Sequence, residues 1–192
     1  MINNSIVADL EIKDEIKKDV VNTMQELKKM NINIHMFTGD TKEKATEIAQ
    51  QVGIDNINYS MLPSDKYTYL EEIIKKKAEK SIVSFVGDGI NDAPVLKLSD
   101  LGISMGSLGT DSAIEASDVV IMNDNLEKIV TAINISKKTN KIIKENLIFA
   151  LGVKLLVLVL TLIGLSTMLE AVFADVGVTV LCILNTLRLL KK

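Results

Sequence analysis

Three short polar clusters carry residue types suited to handling phosphate and a hard cation. Gly87-Asp88-Gly89-Ile90-Asn91-Asp92-Ala93-Pro94 places two carboxylates and an amide within five residues, with a glycine on each side of the first carboxylate. Hard oxygen donors on a tight loop suit Mg2+, which keeps several waters and takes up phosphate oxygens. Thr38-Gly39-Asp40 offers a hydroxyl, a flexible glycine and the start of an expected helix, whose free N–H groups attract anions. The same tripeptide also occurs in many ordinary turns. Leu62-Pro63-Ser64-Asp65-Lys66 sets a lysine in the first turn of another expected helix. There it either reaches a phosphate as a point charge or is simply solvated. His35, the single histidine, has no metal-ligand cluster around it and reads as structural; Cys182, the single cysteine, allows no internal disulfide.

These clusters need elements that bring them together, and the chain up to about Lys144 alternates strand-like and helix-like segments, the pattern of a parallel sheet with covering helices. Strands are expected at Ser5 to Ile12, Asn31 to Phe37, Ile54 to Tyr59, Ser81 to Val86, Leu101 to Met105 and Asp118 to Met122. Asp14 to Met30 repeats Ile16, Val20, Met24 and Leu27 at helical spacing. Thr41 to Gln51 is a helix closed by Gly53, and Pro63 opens another through about Glu79. Asp124 caps a last helix with Leu126, Ile129, Val130 and Ile133 on one face, able to continue through the lysines that follow. All three polar clusters then fall at carboxyl ends of strands or just beyond, where α/β sheets bind ligands.

The 192 residues carry 24% charged side chains, 4% aromatics and a net charge of -3, so no basic face argues for nucleic acid. The averages hide a break. Leu147 to Met168 holds one charge, Lys154, in an otherwise apolar run, and Ala171 to Leu187 holds only Asp175. The first run is long enough to cross a ~30 Å hydrocarbon core at 1.5 Å per residue. The second is short and gains length if Arg188 and Lys191 snorkel. Lys137, Lys138, Lys141 and Lys144 before the hairpin, and Arg188, Lys191 and Lys192 after it, place both flanks in the cytoplasm, with Ser166 to Glu170 near the far side. Counted from those flanks, Lys154 lies ~12–15 Å deep and Asp175 ~19 Å. Contact between them then needs the long lysine chain or a shifted span boundary. Nothing in Met1 to Glu11 reads as a signal peptide.

The order Thr-Gly-Asp, Leu-Pro-x-Asp-Lys, Gly-Asp-Gly-Ile-Asn-Asp-Ala-Pro, followed by Leu101 to Gly106 and Gly109 to Val120, resembles the phosphorylation domain of P-type ATPases. The resemblance implies a haloacid-dehalogenase-like α/β domain over residues 1–134, and a linker helix with two transmembrane helices over 135–192. It implies Asp88 as the principal Mg2+ ligand, with Asn91 and Asp92 shaping the loop and the phosphate shell. It implies Lys66 on the phosphoryl oxygens, Thr38 and Gly39 against the phosphoryl group, and Asp40 steadying the loop near ATP. Asn146, Lys154 and Asp175-Val176-Gly177 resemble the zinc/cadmium/lead branch, and the Tyr-Asn and Met-Ser-Ser patterns of the copper branch are not found. Asp175 is then an oxygen ligand for the transported Zn2+, Cd2+ or Pb2+ and Lys154 its counter-charge, with snorkelling of Lys154 as the plainer reading. Cys182, seven residues after Asp175, shares its helical face; a buried apolar cysteine is the commoner role.

This family forms an aspartyl-phosphate in an Asp-Lys-Thr-Gly-Thr segment. No such segment occurs in these residues; Asp9 and Asp14 lack the Lys-Thr-Gly that would follow, and Asp14 instead resembles an acidic residue that opens a later helix. The nucleophile strand, expected beside Ser81 to Val86, and most of the ATP-binding domain are therefore expected upstream, so the isolated chain is expected neither to hydrolyse ATP nor to fold robustly. The partners implied are the heavy-metal substrate, membrane lipid and an N-terminal pump half, and the location the cell membrane, multi-pass, with both ends cytoplasmic. Three alternatives remain: a truncated non-catalytic membrane protein that pairs with or regulates a pump, a copper-branch pump, and a soluble phosphatase, which the apolar runs oppose.

Overall fold

The computed structural model describes residues 16–87, 90–106, 111–123, 125–165 and 167–190. The expected strand at Ser5 to Ile12, the cap Asp124 and the acidic pair Asp9 and Asp14 lie outside the described residues. The chain divides into two compact units, 1–128 and 129–192.

The first unit is an α/β assembly. Its strands are β1 (His35–Phe37), β2 (Asn56–Asn58), β3 (Ser84–Gly87), β4 (Leu101–Met105) and β5 (Val119–Ile121). Every pairing is parallel: β1 with β2, β3 with β4 and β4 with β5, so the described strands form a two-stranded and a three-stranded sheet. The helices are α1 (Lys18–Lys29), α2 (Lys42–Val52), α3 (Pro63–Lys76), α4 (Ala93–Leu98) and α5 (Asp111–Ala116).

Most elements are shorter than hydrophobic patterning suggests, because backbone geometry at their ends intervenes. Lys17 is extended (ψ 135°), so α1 begins only at Lys18 rather than at Asp14. Asn31 takes a left-handed conformation (φ 59°) in the turn after α1, which delays β1 to His35. Asn tolerates that region better than most residues. Gly53 closes α2 in the left-handed conformation (φ 78°), its expected place. Ala45, Ala49 and Val52 supply the buried face of α2, spaced as a helix requires.

The tightest packing lies where α4 crosses β4. Leu96 and Val95 of α4 are almost fully buried, as is Ser104 of β4. A Cβ on Gly102 would sit 2.7 Å from the Leu96 carbonyl oxygen, so only glycine lets the helix come this close. Asp118 fastens the next strand: its carboxylate accepts from Gly102 N–H at 2.8 Å, and its own N–H donates to Gly102 O at 2.9 Å. At the other end of β3, Asp100 accepts from Lys77 and, at 2.8 Å, from Val83 N–H.

The second unit is an α-helical hairpin. The 36-residue α6 (Glu127–Leu162) runs unbroken from the amphipathic segment through the lysines into the apolar run. It stops before the apolar run does, because Gly164 turns left-handed (φ 74°) and Leu165 N–H closes on Leu160 O at 2.9 Å. After the turn, Thr167 and Glu170 cap α7 (Met168–Thr186) reciprocally. Both helices are long and apolar enough to cross a bilayer.

Candidate functional site

The Thr38-Gly39-Asp40 cluster is a locked loop at the end of β1. Thr38 Oγ1 donates to Asp40 Oδ2 at 3.0 Å and accepts from Asp40 N–H at 3.1 Å, while Lys44 approaches the other carboxylate oxygen at 3.4 Å. Met61 N–H donates to Thr38 O at 3.0 Å and Ser60 N–H to Asp40 O at 2.8 Å. These two bonds tie the loop to the chain leading into α3, so the Thr38–Asp40 and Leu62–Lys66 clusters become neighbours although more than twenty residues separate them in sequence.

Lys66 is aimed by the first turn of α3. Pro63 supplies a preset φ, and the Asp65 carboxylate accepts from Leu62 N–H at 2.8 Å, satisfying a donor the helix leaves free. Asp65 is a positioning residue that the motif reading passed over; an acidic residue three positions after the helix boundary was the available signal. From there Lys66 Nζ reaches Asp92 Oδ1 at 2.8 Å, with only 19% and 12% of the two side chains exposed. This ion pair joins the Leu62–Lys66 cluster to the Gly87–Pro94 cluster.

Asp92 lies at the start of α4 yet makes no cap to that helix, its carboxylate being turned to Lys66 instead. Gly87 makes room for it. A Cβ there would stand 2.9 Å from Asp92 Cβ, 3.0 Å from its Oδ2 and 3.1 Å from the Phe85 ring. The glycine before Asp88 thus serves a close approach rather than an unusual φ. Phe37 packs edge-on against Tyr69 at 5.5 Å and tilted against Phe85 at 6.2 Å, holding β1, α3 and β3 together.

Asn91 is exposed and Asp92 buried on the short 3-10 turn Ile90–Asp92. Asp88 and Gly89 lie outside the described residues. Among the described residues no three His, Cys, Asp or Glu side chains gather into a metal-binding group. The donors that are described, the Asp92 carboxylate and the Asn91 amide, are hard oxygens that fit Mg2+ and not a soft metal.

In the second unit Lys154 Nζ lies 3.9 Å from Asp175 Oδ1. The two side chains are 75% and 72% exposed at the surface of the hairpin. Cys182 stands apart from this pair: its thiol donates to Asn146 O at 3.8 Å. His35 is exposed in β1.

A haloacid dehalogenase-like hydrolase model matches residues 2–100. The chain is 46% identical over 94% of its length to a zinc-transporting ATPase of Synechocystis sp., covering 25% of that protein. It is 44% identical over 94% of its length to a cadmium, zinc and cobalt-transporting ATPase of Bacillus subtilis, covering 26% of it. A crystal structure of a zinc-transporting PIB-type ATPase in the E2.Pi state aligns with 93% of this chain and 29% of its own, at 35% identity and a TM-score of 0.84. The chain thus spans about a quarter of the length of the curated relatives it matches.

Proposed function

Because the chain belongs to the haloacid dehalogenase-like hydrolase family, we infer that it supplies the magnesium- and phosphate-handling loops of an ATP-driven zinc- or cadmium-exporting pump, with two of its membrane helices. The observation that carries this reading is the Lys154–Asp175 pair, 3.9 Å apart in an otherwise apolar hairpin. Ionisable groups in a bilayer cost about 2.5–3.5 kcal/mol or more each and face a protein interior or a polar path. A largely exposed pair on a two-helix surface therefore calls for further membrane helices around it, as a metal route through a pump has. Relatives that transport zinc and cadmium support that choice of substrate.

In the α/β unit, Lys66 holds the phosphoryl oxygens, Thr38 and Gly39 contact the phosphoryl group, and Asp40 steadies their loop. Asp88 would be the principal ligand of Mg2+, with Asn91 and Asp92 shaping the loop and the phosphate shell. When bound there, the ion would supply charge neutralisation for the phosphoryl group. The protein's own part is positioning: Asp92 keeps Lys66 in place, and Gly87 lets Asp92 approach. Asp175 offers a carboxylate to the transported metal, and Lys154 balances it when no metal is bound. ATP is held mainly by a domain these residues do not include, and the working division places the phosphorylation domain at 1–134 and the membrane part at 135–192. Lysines of α6 ahead of its apolar run and basic residues after α7 favour both ends on the cytoplasmic side of the cell membrane.

The test is a chimera in which this chain replaces the matching quarter of the Synechocystis zinc-transporting ATPase. Zinc-dependent ATP hydrolysis in vesicles is expected, lost with Asp88→Asn and with Asp175→Ala. A chimera that inserts and binds nucleotide yet shows no zinc-dependent turnover would refute the reading, and would favour a chain that pairs with or regulates a pump.

A further inference from the structure

A second polar cluster spans the hairpin where its apolar runs meet the lysines. Asn146, at the entrance of the α6 apolar run, uses every polar atom of its side chain. Its Nδ2 donates to Cys182 O at 3.2 Å and to Thr186 Oγ1 at 3.1 Å. Its Oδ1 accepts from Asn185 Nδ2 at 2.8 Å. Thr186 in turn donates to Cys182 O at 2.9 Å, and the Cys182 thiol to Asn146 O at 3.8 Å. Arg188 closes the outer side, donating to Asn185 Oδ1 at 2.9 Å and to Glu145 Oε2 at 3.1 Å.

Elsewhere between the helices, the described residues offer the Lys154–Asp175 pair, and lipid provides no hydrophobic drive to bring helices together. A directional network at one level therefore sets how the helices meet at other levels. The spacing fits. Lys154 is eight residues beyond Asn146 in α6, ~12 Å along the axis, and Asp175 is seven residues before Cys182 in α7, ~10 Å. Seven residues are close to two turns, so Asp175 lies nearly beneath Cys182 on the face turned to α6. Eight residues overshoot by roughly 80°, so Lys154 emerges at the flank and reaches across with its long stem. Turning either helix by one residue's worth, roughly 100°, would swing its member of the pair away.

We propose that Asn146 is a positioning residue and not a metal ligand: with Asn185, Thr186 and Cys182 it clasps the two membrane helices in the rotation that sets Lys154 against Asp175. The consequence for metal transport rests on the function proposed above; the clasp itself does not.

The test uses the full chain in lipid nanodiscs and a carbodiimide, which joins an amine to a carboxylate only when they touch. Wild-type chain is expected to give a Lys154–Asp175 amide crosslink, read by mass spectrometry. Asn146→Leu should lower its yield at least about fivefold while the helix content by circular dichroism is unchanged. Asn185→Leu, which removes one bond to Asn146 and the contact from Arg188, should fall between, and it serves alone if Asn146→Leu fails to insert. Asn146→Asp, which keeps the acceptor for Asn185, should recover part of the yield. Zinc binding to the same samples is measured in parallel. Loss of crosslink with weaker zinc binding supports both readings. Loss of crosslink in a chain that never bound zinc supports the clasp and removes the metal reading. Unchanged crosslinking in both leucine variants overturns the clasp, whatever zinc does.

Discussion

Replacing Lys66 by Met tests whether the Lys66–Asp92 pair is a structural joint of the site. More than four-fifths of each side chain is out of solvent, and the gap between them is 2.8 Å. Deleting one partner of a buried pair costs about 3–5 kcal/mol, because the other charge is left without compensation. The residual exposure here argues for the lower end, about 3 kcal/mol. For a unit of this size, about 3–4 °C in Tm accompanies each kcal/mol, so Lys66→Met should melt about 10 °C lower. Asp92→Asn should cost less, since the orphaned lysine can swing its flexible stem to water while the short aspartate cannot. The double variant Lys66→Met/Asp92→Asn should return most of the way, to within about 4 °C of wild type. Tyrosine fluorescence is the assay: Tyr59, Tyr67 and Tyr69 all lie in the α/β unit and the chain has no tryptophan. A Lys66→Met melt indistinguishable from wild type, or a double variant as unstable as the two losses added, would refute the coupling.

Gly102→Ala should lower the same melt by about 3 °C or more, since overpacking a tight contact costs about 1–3 kcal/mol and the atom met at 2.7 Å is the Leu96 backbone carbonyl. An unchanged melt would mean α4 moves off β4 freely. The Asp100 carboxyl is held below its ordinary value of 3.8, first by the hydrogen bond from Lys77 and next by that from Val83 N–H. A lowered folded pKa stabilises the fold fully above the unfolded value and loses that contribution as pH falls through the folded one. The stability difference between wild type and Asp100→Asn should therefore be present at pH 6 and shrink below about pH 4. A difference that persists down to pH 2 in urea titrations would assign it to packing instead.

Residue order alone determined the fold class, the parallel strands, the apolar hairpin and the three polar clusters. These are carried by local signals: apolar periodicity, Pro63 at a helix start, Gly53 at a helix end, and a motif whose oxygen donors lie within a few residues. Tertiary structure decided the contacts between segments far apart in the chain. Lys66 reads in sequence as a surface lysine or a phosphate contact, and only the fold brings it onto Asp92. Gly87 reads as part of a tight loop, and only packing shows the Asp92 carboxylate in the space a side chain there would fill. Element ends shifted for the same reason, since φ at Asn31 and Gly164 overrides a hydrophobic run. Helix spacing placed Cys182 on the face of Asp175, but the network that holds it to Asn146 needed both helices in place. Spacing fixes which face a side chain takes, whereas its partner depends on the neighbouring element that the whole chain brings to that face.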